Sequence, residues 1–177
     1  QRQMCIRDRK DITGALMVYE KKEPKKVVNH NPKGINEEIA AAAELIKNAE
    51  KPFIYAGGGV VSADATEEMA EFVRKVDAPV SLSLMGQCAL DNTKDCYIGM
   101  LGMHGTKTAA MTLSECDLMI VLGSRFSDRV LCNAKTFAKD KKIIHIDIDP
   151  AEIGKNIDVY SHVTGDVKYC LLYTSDA

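Results

Sequence analysis

Three consecutive glycines, Gly57-Gly58-Gly59, close a short apolar run, Phe53-Ile54-Tyr55. Glycine lets a backbone turn sharply and approach a ligand closely. Where a helix follows, its free N–H groups can take a phosphate. A tight strand-to-helix turn with no ligand would use the same residues. The triplet is not the G-x-G-x-x-G fingerprint, because Val60 and Val61 follow it. An NAD domain would also place an acid about 20 residues beyond its glycines. Val80 and its neighbours occupy that stretch instead. The acid that ends an apolar run is Asp147, far downstream. Its two oxygens match the two hydroxyls of a ribose. Asp149-Pro150-Ala151-Glu152 reads as a helix start with proline first, so Asp149 is assigned to capping and Asp147 to a ligand. Together these residues suggest a nucleotide held in a mode unlike that of NAD.

Two further groups bear on chemistry. His104 stands between Met103 and Gly105. A lone histidine is more often a contact residue than a general base, and no Ser or Cys partner is indicated. Arg125, Asp128 and Arg129 follow the apolar run that ends at Gly123. An arginine there would clamp a phosphate or carboxylate with two prongs, and an ordinary surface ion pair would use the same residues.

The elements that must position these groups alternate. Asn36, Glu37 and Glu38 open a helix whose Ile39, Ala42, Ala43, Ile46 and Ala49 recur at helical spacing, with Asn36 as its cap. Pro52 introduces a strand. Asp64 and Glu67 have capping-box spacing before Met69, Phe72, Val73 and Val76. Pro79 opens a strand from Val80 to Leu84, and a helix follows from Thr106 to Leu113. Leu118 to Leu122 and Lys142 to Ile148 are apolar on both faces, as parallel strands covered by helices are. Gly165-Asp166-Val167 starts a final turn. The expected fold is α/β: an open, mostly parallel, doubly wound, Rossmann-like sheet. Ligands of such sheets bind beyond the carboxyl ends of the strands, where Gly57 to Gly59, Ser83, Gly102, Gly123 and Asp147 fall.

The totals narrow the class. The chain has 177 residues, 46% hydrophobic, with a formal net charge of −2, and a pI near 6.1. That suits one domain and gives no pull toward nucleic acid or a membrane. Six cysteines, Cys5, Cys88, Cys96, Cys116, Cys132 and Cys170, form no C-x-x-C pair and cluster with no histidine, which points to reduced thiols, no zinc and a cytoplasmic setting. The charged, proline-containing stretch Glu20 to Lys26 reads as a linker.

Five segments then carry a resemblance. They are Pro52 to Gly59, Leu82-Ser83-Leu84-Met85-Gly86, Gly99-Met100-Leu101-Gly102-Met103-His104-Gly105, Gly123-Ser124-Arg125-Phe126-Ser127-Asp128-Arg129-Val130 and His145 to Lys155. In order and approximate spacing they resemble the central domain of acetolactate synthase large subunits. Lys10 to Tyr19 resembles the end of the domain that precedes it. The resemblance implies a parent enzyme that decarboxylates pyruvate and joins the two-carbon unit to pyruvate or 2-oxobutyrate, opening branched-chain amino-acid synthesis (isoleucine, valine, leucine). It implies thiamine diphosphate, Mg2+ and FAD, with FAD along this domain and outside the net chemistry. It implies a homo-oligomer of large subunits with a small regulatory subunit. On matching positions, Gly58, Ser83, Leu84, Leu101, Gly102, Met103 and His104 line FAD, as do Gly123, Ser124, Arg125, Phe126 and Ser127. Asp147, Ile148, Asp166 and Val167 hold its adenosine end. Arg129, with Asp128 beside it, meets the carboxylate of the second 2-oxoacid.

Some features depart from the family pattern. Ser127-Asp128 stands where two aspartates are common, and Val130-Leu131-Cys132 where Val-Thr-Gly is common. The glutamate that activates the thiazolium, the Gly-Asp-Gly…Asn motif for diphosphate and Mg2+, and an upstream arginine that meets FAD belong outside these residues. No catalytic residue is therefore expected within them, and the fragment alone is expected to be inactive. Residues 1–9 and 169–177 do not continue the pattern and read as non-native flanks, 10–35 as the end of a preceding domain and a linker, and 36–168 as the domain itself. The rival readings are a sister thiamine-diphosphate enzyme (glyoxylate carboligase, pyruvate oxidase or sulfoacetaldehyde acetyltransferase) and a non-catalytic nucleotide-binding or scaffolding module.

Overall fold

Alternating apolar runs and amphipathic segments become strands and helices of one wound sheet. The structure is a computed structural model, and it describes Leu16, 34–131, Phe137 and 140–176. The strands are β1 (Pro52–Ala56), β2 (Val80–Leu82), β3 (Tyr97–Met100), β4 (Leu118–Leu122), β5 (Lys142–Asp147) and β6 (Ser161–Thr164). They lie in the order β3-β2-β1-β4-β5-β6, and every neighbouring pair is parallel. The helices are α1 (Ile35–Lys47), α2 (Gly58–Ser62), α3 (Thr66–Val76), α4 (Lys107–Glu115), α5 (Asp128–Leu131) and α6 (Val167–Asp176). This is the doubly wound α/β sheet that the alternation predicts.

Side chains alternate across each strand, so each face gathers its own core. On the first face Ile54, Leu82, Ile120, Leu122, Ile144 and Val163 meet Ile39 of α1, Met69 and Phe72 of α3, and Leu171 of α6. On the second, Phe53, Tyr55, Met119, Val121 and Ile143 meet Ala109 of α4, Leu131 of α5, Phe126 and Phe137. At the amino end, the Asp117 carboxylate accepts the N–H groups of Glu50 and Lys51 at 2.8 and 2.9 Å, tying the starts of β1 and β4 together. Those bonds hold the Asp117 carboxyl below the usual range, against the opposing effect of burial.

Several boundaries differ from expectation. Gly34, at φ +96°, occupies the N-cap of α1, and Asn36 lies inside the helix, where its Oδ1 accepts the Tyr169 hydroxyl. The N-cap of α3 is Ala65, without a side-chain bond; Asp64 instead adopts φ +52° in the preceding turn. β2 stops at Leu82, because Ser83 caps a 3-10 turn over Leu84–Gly86. Residues 149–156 form turns and no helix; the Asp149 carboxylate accepts the Ala151 N–H at 2.9 Å. β3 and β6 are short edge strands that the periodicity does not reveal. The chain also continues past Lys168 in α6, whose Cys170 and Leu171 are buried in the first core. The linker at 20–26, the stretch 10–19 apart from Leu16, residues 1–9, Cys5 and Cys132 lie outside the described residues. No described helix is long and apolar enough to cross a membrane.

Candidate functional site

Strand order reverses between β1 and β4: from β1 the chain winds outward to β2, and from β4 it winds the other way to β5. A crevice opens at the carboxyl ends of these strands, where open α/β sheets bind their ligands. A cavity of about 580 Å³ occupies it. The segments after β1, β2, β3 and β4 form its walls, so four stretches far apart in sequence share one space.

The glycine triplet divides its work. A Cβ on Gly57 would fall on the Gly123 carbonyl oxygen and the Ser124 side chain, and one on Gly59 would sit 2.6 Å from the Gly123 Cα. The N–H groups of Gly57 and Gly59 donate to the carbonyls of Leu122 and Gly123 at 2.9 Å. These two glycines let two backbones touch, and their donors are engaged in doing so. Gly58 faces the other way: its Cβ would stand 3.0 Å from the Met85 Cβ, at the cavity wall. Gly123 itself adopts φ +53°, a left-handed turn suited to glycine.

A second contact closes the site from the far side. The Met103 N–H donates to the Arg129 carbonyl at 2.7 Å. Gly102, at φ +106°, lies against that same carbonyl, 2.5 Å from where its Cβ would be. The loop after β3 is thus latched onto α5, which brings Met103 and His104 to the cavity with Arg129. Gly102 is the hinge of this latch and does not itself line the space.

Of the residues expected at a cofactor, Gly58, Ser83, Leu84, Leu101, Met103, His104, Gly123, Ser124, Arg125 and Ser127 line the cavity, as does Arg129. Asp128 is exposed at the first turn of α5 and does not line it. Phe126 is buried edge-on against His145 and Phe137, at ring-centroid distances of 5.3 and 5.9 Å. Val167 is buried in the first core, and the Asp166 carboxylate accepts the Tyr169 N–H at 3.1 Å as the cap of α6. Ile148 is exposed beyond β5. Tyr55, Gly59, Val61, Ser62, Met85, Met100 and Val130 line the cavity without having been expected there. For Tyr55 a signal existed: a tyrosine in a buried strand carries a polar tip that wants a partner.

Asp147 ends β5, outside the cavity. Its Oδ1 accepts the Asp149 N–H at 2.9 Å, and its Oδ2 stands 3.9 Å from His145 Nε2. Counted from the triplet, no acid appears at the expected distance. Counted from Gly123, Asp147 lies about 24 residues on, at the end of the adjacent strand, where a βαβ nucleotide unit carries its acid. Gly123, not the triplet, follows the strand beside β5, which only strand order reveals. His145 is buried; burial lowers its pKa, while Asp147, the Ser124 carbonyl and Glu152 pull it up and His162 adds to the lowering. Burial likewise pushes the Tyr55 phenol up, and the Ser124 and Ser83 side chains beside it pull it down.

The fold and crevice define a class: an open parallel α/β domain with a cavity at a reversal of strand order. The family of thiamine pyrophosphate enzyme central domains matches residues 39–173, and the chain belongs to that family. It is similar to the acetolactate synthase of Mycobacterium leprae, 46% identical over 138 residues that make up 78% of this chain and 22% of the relative. It is also similar to the acetolactate synthase large subunit of Parasynechococcus marenigrum, 40% identical over 89% of this chain and 26% of the relative. The chain spans about a quarter of the length of the curated relatives it matches. A solved thiamin diphosphate-dependent enzyme structure from Mycobacterium smegmatis shares the fold at a TM-score of 0.64 and 23% identity, over 79% of this chain and 27% of that one.

Proposed function

We propose that the chain is the FAD-holding central domain of an acetolactate synthase large subunit. The observation that carries this reading is the cavity at the strand-order reversal, around which four of the five family-like segments meet. The parent enzyme would decarboxylate pyruvate and transfer the two-carbon unit to pyruvate or 2-oxobutyrate, working as a homo-oligomer with a small regulatory subunit. Thiamine diphosphate and Mg2+ would be held by other parts of that enzyme.

The residues present fit a flavin dinucleotide. Leu84, Met85 and Met103 offer an apolar surface to a flat ring, and Gly58 lacks the Cβ that would narrow the space beside Met85. Arg125 and Arg129 bring positive charge suited to a diphosphate or a substrate carboxylate. Asp147, at the end of the strand beside β4, offers a ribose two acceptor oxygens. When bound, FAD takes no net part in the reaction; this chain's residues hold and orient it, and Arg129 receives the second 2-oxoacid.

Titration with FAD, NAD and thiamine diphosphate, followed by flavin fluorescence and calorimetry, tests the reading. The 177-residue chain alone should bind FAD weakly, because it spans about a quarter of its relatives' length; one lost charge-assisted bond costs about 1.5–3 kcal/mol, roughly tenfold to a hundredfold in affinity. Asp147→Ala should weaken it further. In the parent enzyme, Arg129→Ala should harm use of the second oxoacid more than pyruvate decarboxylation. Tight NAD binding with no response to FAD, or equal loss of both enzymatic steps, would overturn it.

A further inference from the structure

The loop after β3 and the helix α5 meet main chain to main chain, and the two sides of that contact differ in stiffness. The loop is closed on itself. The Gly105 N–H donates to the Gly102 carbonyl at 2.8 Å, and the Thr106 N–H to the Met100 carbonyl at 2.9 Å. The Thr106 hydroxyl donates to the Ile98 carbonyl at 2.6 Å, and its oxygen accepts the Ala109 N–H at 3.1 Å as the cap of α4. Both ends of the loop are therefore held. In contrast, α5 is one turn of four residues, Asp128–Leu131. A turn that short has little stability of its own and takes its place from what it touches. On its inner side Leu131 is buried in the second core. On its outer side it meets Gly102, where a Cβ would stand 2.5 Å from the Arg129 carbonyl oxygen and 2.9 Å from the Val130 Cα. Both atoms are main chain, so no side-chain rotation would relieve the contact.

We propose that Gly102 is a positioning residue for Arg129: the loop after β3 is the stop against which α5 rests, and it aims the arginine that receives the second 2-oxoacid. This rests on the reading of Arg129 given above and adds to it a residue that acts through it. A guanidinium grips a carboxylate with two prongs only when its fork is aligned, and a shift of about 1 Å in a positioning group is enough to spoil such a geometry. Because the loop is the stiffer side, a side chain at position 102 moves α5. Met103 and His104, which line the cavity from the loop, keep their places.

The test is made in the full-length parent enzyme. Gly102→Ala should raise the half-saturating concentration of 2-oxobutyrate by roughly tenfold to a hundredfold, the worth of one charge-assisted contact. Pyruvate decarboxylation and the bound flavin, read by absorbance, should stay close to those of the unsubstituted enzyme. Gly102 has φ +106°, which strains alanine, so Gly102→Asn is the second variant: it carries the same Cβ on a residue that accepts left-handed backbone more readily, and should show the same split. Gly99→Ala is the control. Gly99 is also left-handed, at φ +99°, but its Cβ would meet the Thr106 side chain and not α5; the half-saturating 2-oxobutyrate should not change. With Arg129 already replaced by alanine, Gly102→Ala should add little further loss. An equal rise from Gly99→Ala would make loop strain the cause and overturn the inference. So would a fully additive loss in the Arg129→Ala background, or unchanged 2-oxobutyrate use in the Gly102 variants where Arg129→Ala impairs it. If Arg129→Ala harms both enzymatic steps equally, the reading of Arg129 falls and takes the inference with it.

Discussion

The two faces of the sheet are built from the same strands and do different work. On the first, the strand side chains are aliphatic: Ile54, Leu82, Ile120, Leu122, Ile144 and Val163 lie under three helices. Even its cysteine, Cys170, is an inert filler, its thiol pushed up to about 12 chiefly by burial. The buried polar and charged residues among those described are Ser81, Ser124, His145, Asp147 and Glu152. Ser81 pairs in register with Tyr55, and His145 and Asp147 alternate with Ile144 and Ile146, so these side chains belong to the second face. The Ser124 carbonyl takes its bond from His145, and Glu152 lies close enough to influence that histidine. Apolar contacts tolerate imprecision, whereas buried polar groups must each find a partner with good geometry. Both faces therefore hold a stabilising apolar core, and the second adds the buried polar groups that fix the position of the loops that form the cavity.

Four experiments would break or sharpen that contrast. Ile120→Ala, at the centre of the first face, should cost roughly 2–5 kcal/mol in urea unfolding through the cavity it leaves. A loss under about 1 kcal/mol would deny that face its stabilising role. Gly59→Ala drives a Cβ into the Gly123 backbone, and both sides of that contact are main chain. The expected loss is about 1–3 kcal/mol, with the cavity disturbed as well; an unchanged melting temperature and FAD titration would show that the two loops can part freely.

The third experiment concerns pH. The buried His145 has its pKa lowered in the fold by burial, so the unfolded chain binds a proton that the folded one refuses. Below the ordinary histidine value of about 6.5, stability should fall as pH falls, by up to about 1.4 kcal/mol per unit. The groups around the ring are Asp147, the Ser124 carbonyl, Glu152 and His162. His145→Gln should flatten that slope in urea titrations between pH 7 and 5; an undiminished slope would place the proton elsewhere. The smallest effect is expected at Ser81, whose Oγ donates to the Gly99 carbonyl at 2.7 Å. Ser81→Ala should cost about 1 kcal/mol. A cost as large as that of Ile120→Ala would erase the distinction between the faces.

What could be read beforehand follows the same division. Runs such as Leu118 to Leu122 announce buried parallel strands because every position is apolar, and the helices of the first face show in the spacing of Ile39, Met69 and Phe72. β3 and β6 stay hidden because short edge strands with half-buried side chains show no such run. The cap at Gly34 is hidden too, since a glycine cap rests on a backbone dihedral, whereas Asn36 advertised a side chain that the fold uses for Tyr169. At the site, family-like segments named most of the cavity lining, including Gly58, Ser83, His104 and Arg129. Phe126 belongs to one of these segments and Val167 was expected at the adenosine end, yet both point into the cores.

By itself, the sequence determined the class of fold and the loops that matter, because hydrophobic periodicity and glycine placement are local properties of the chain. Only the tertiary structure decided how those loops meet. Gly57 and Gly59 serve the contact with Gly123, Gly102 serves the latch on Arg129, and Asp147 takes its place from Gly123, its neighbour across the sheet. Tyr55 lies under the cavity because β1 borders the reversal of strand order. Each of these follows from which strand lies beside which, and strand order is set by long-range packing that no stretch of neighbouring residues encodes.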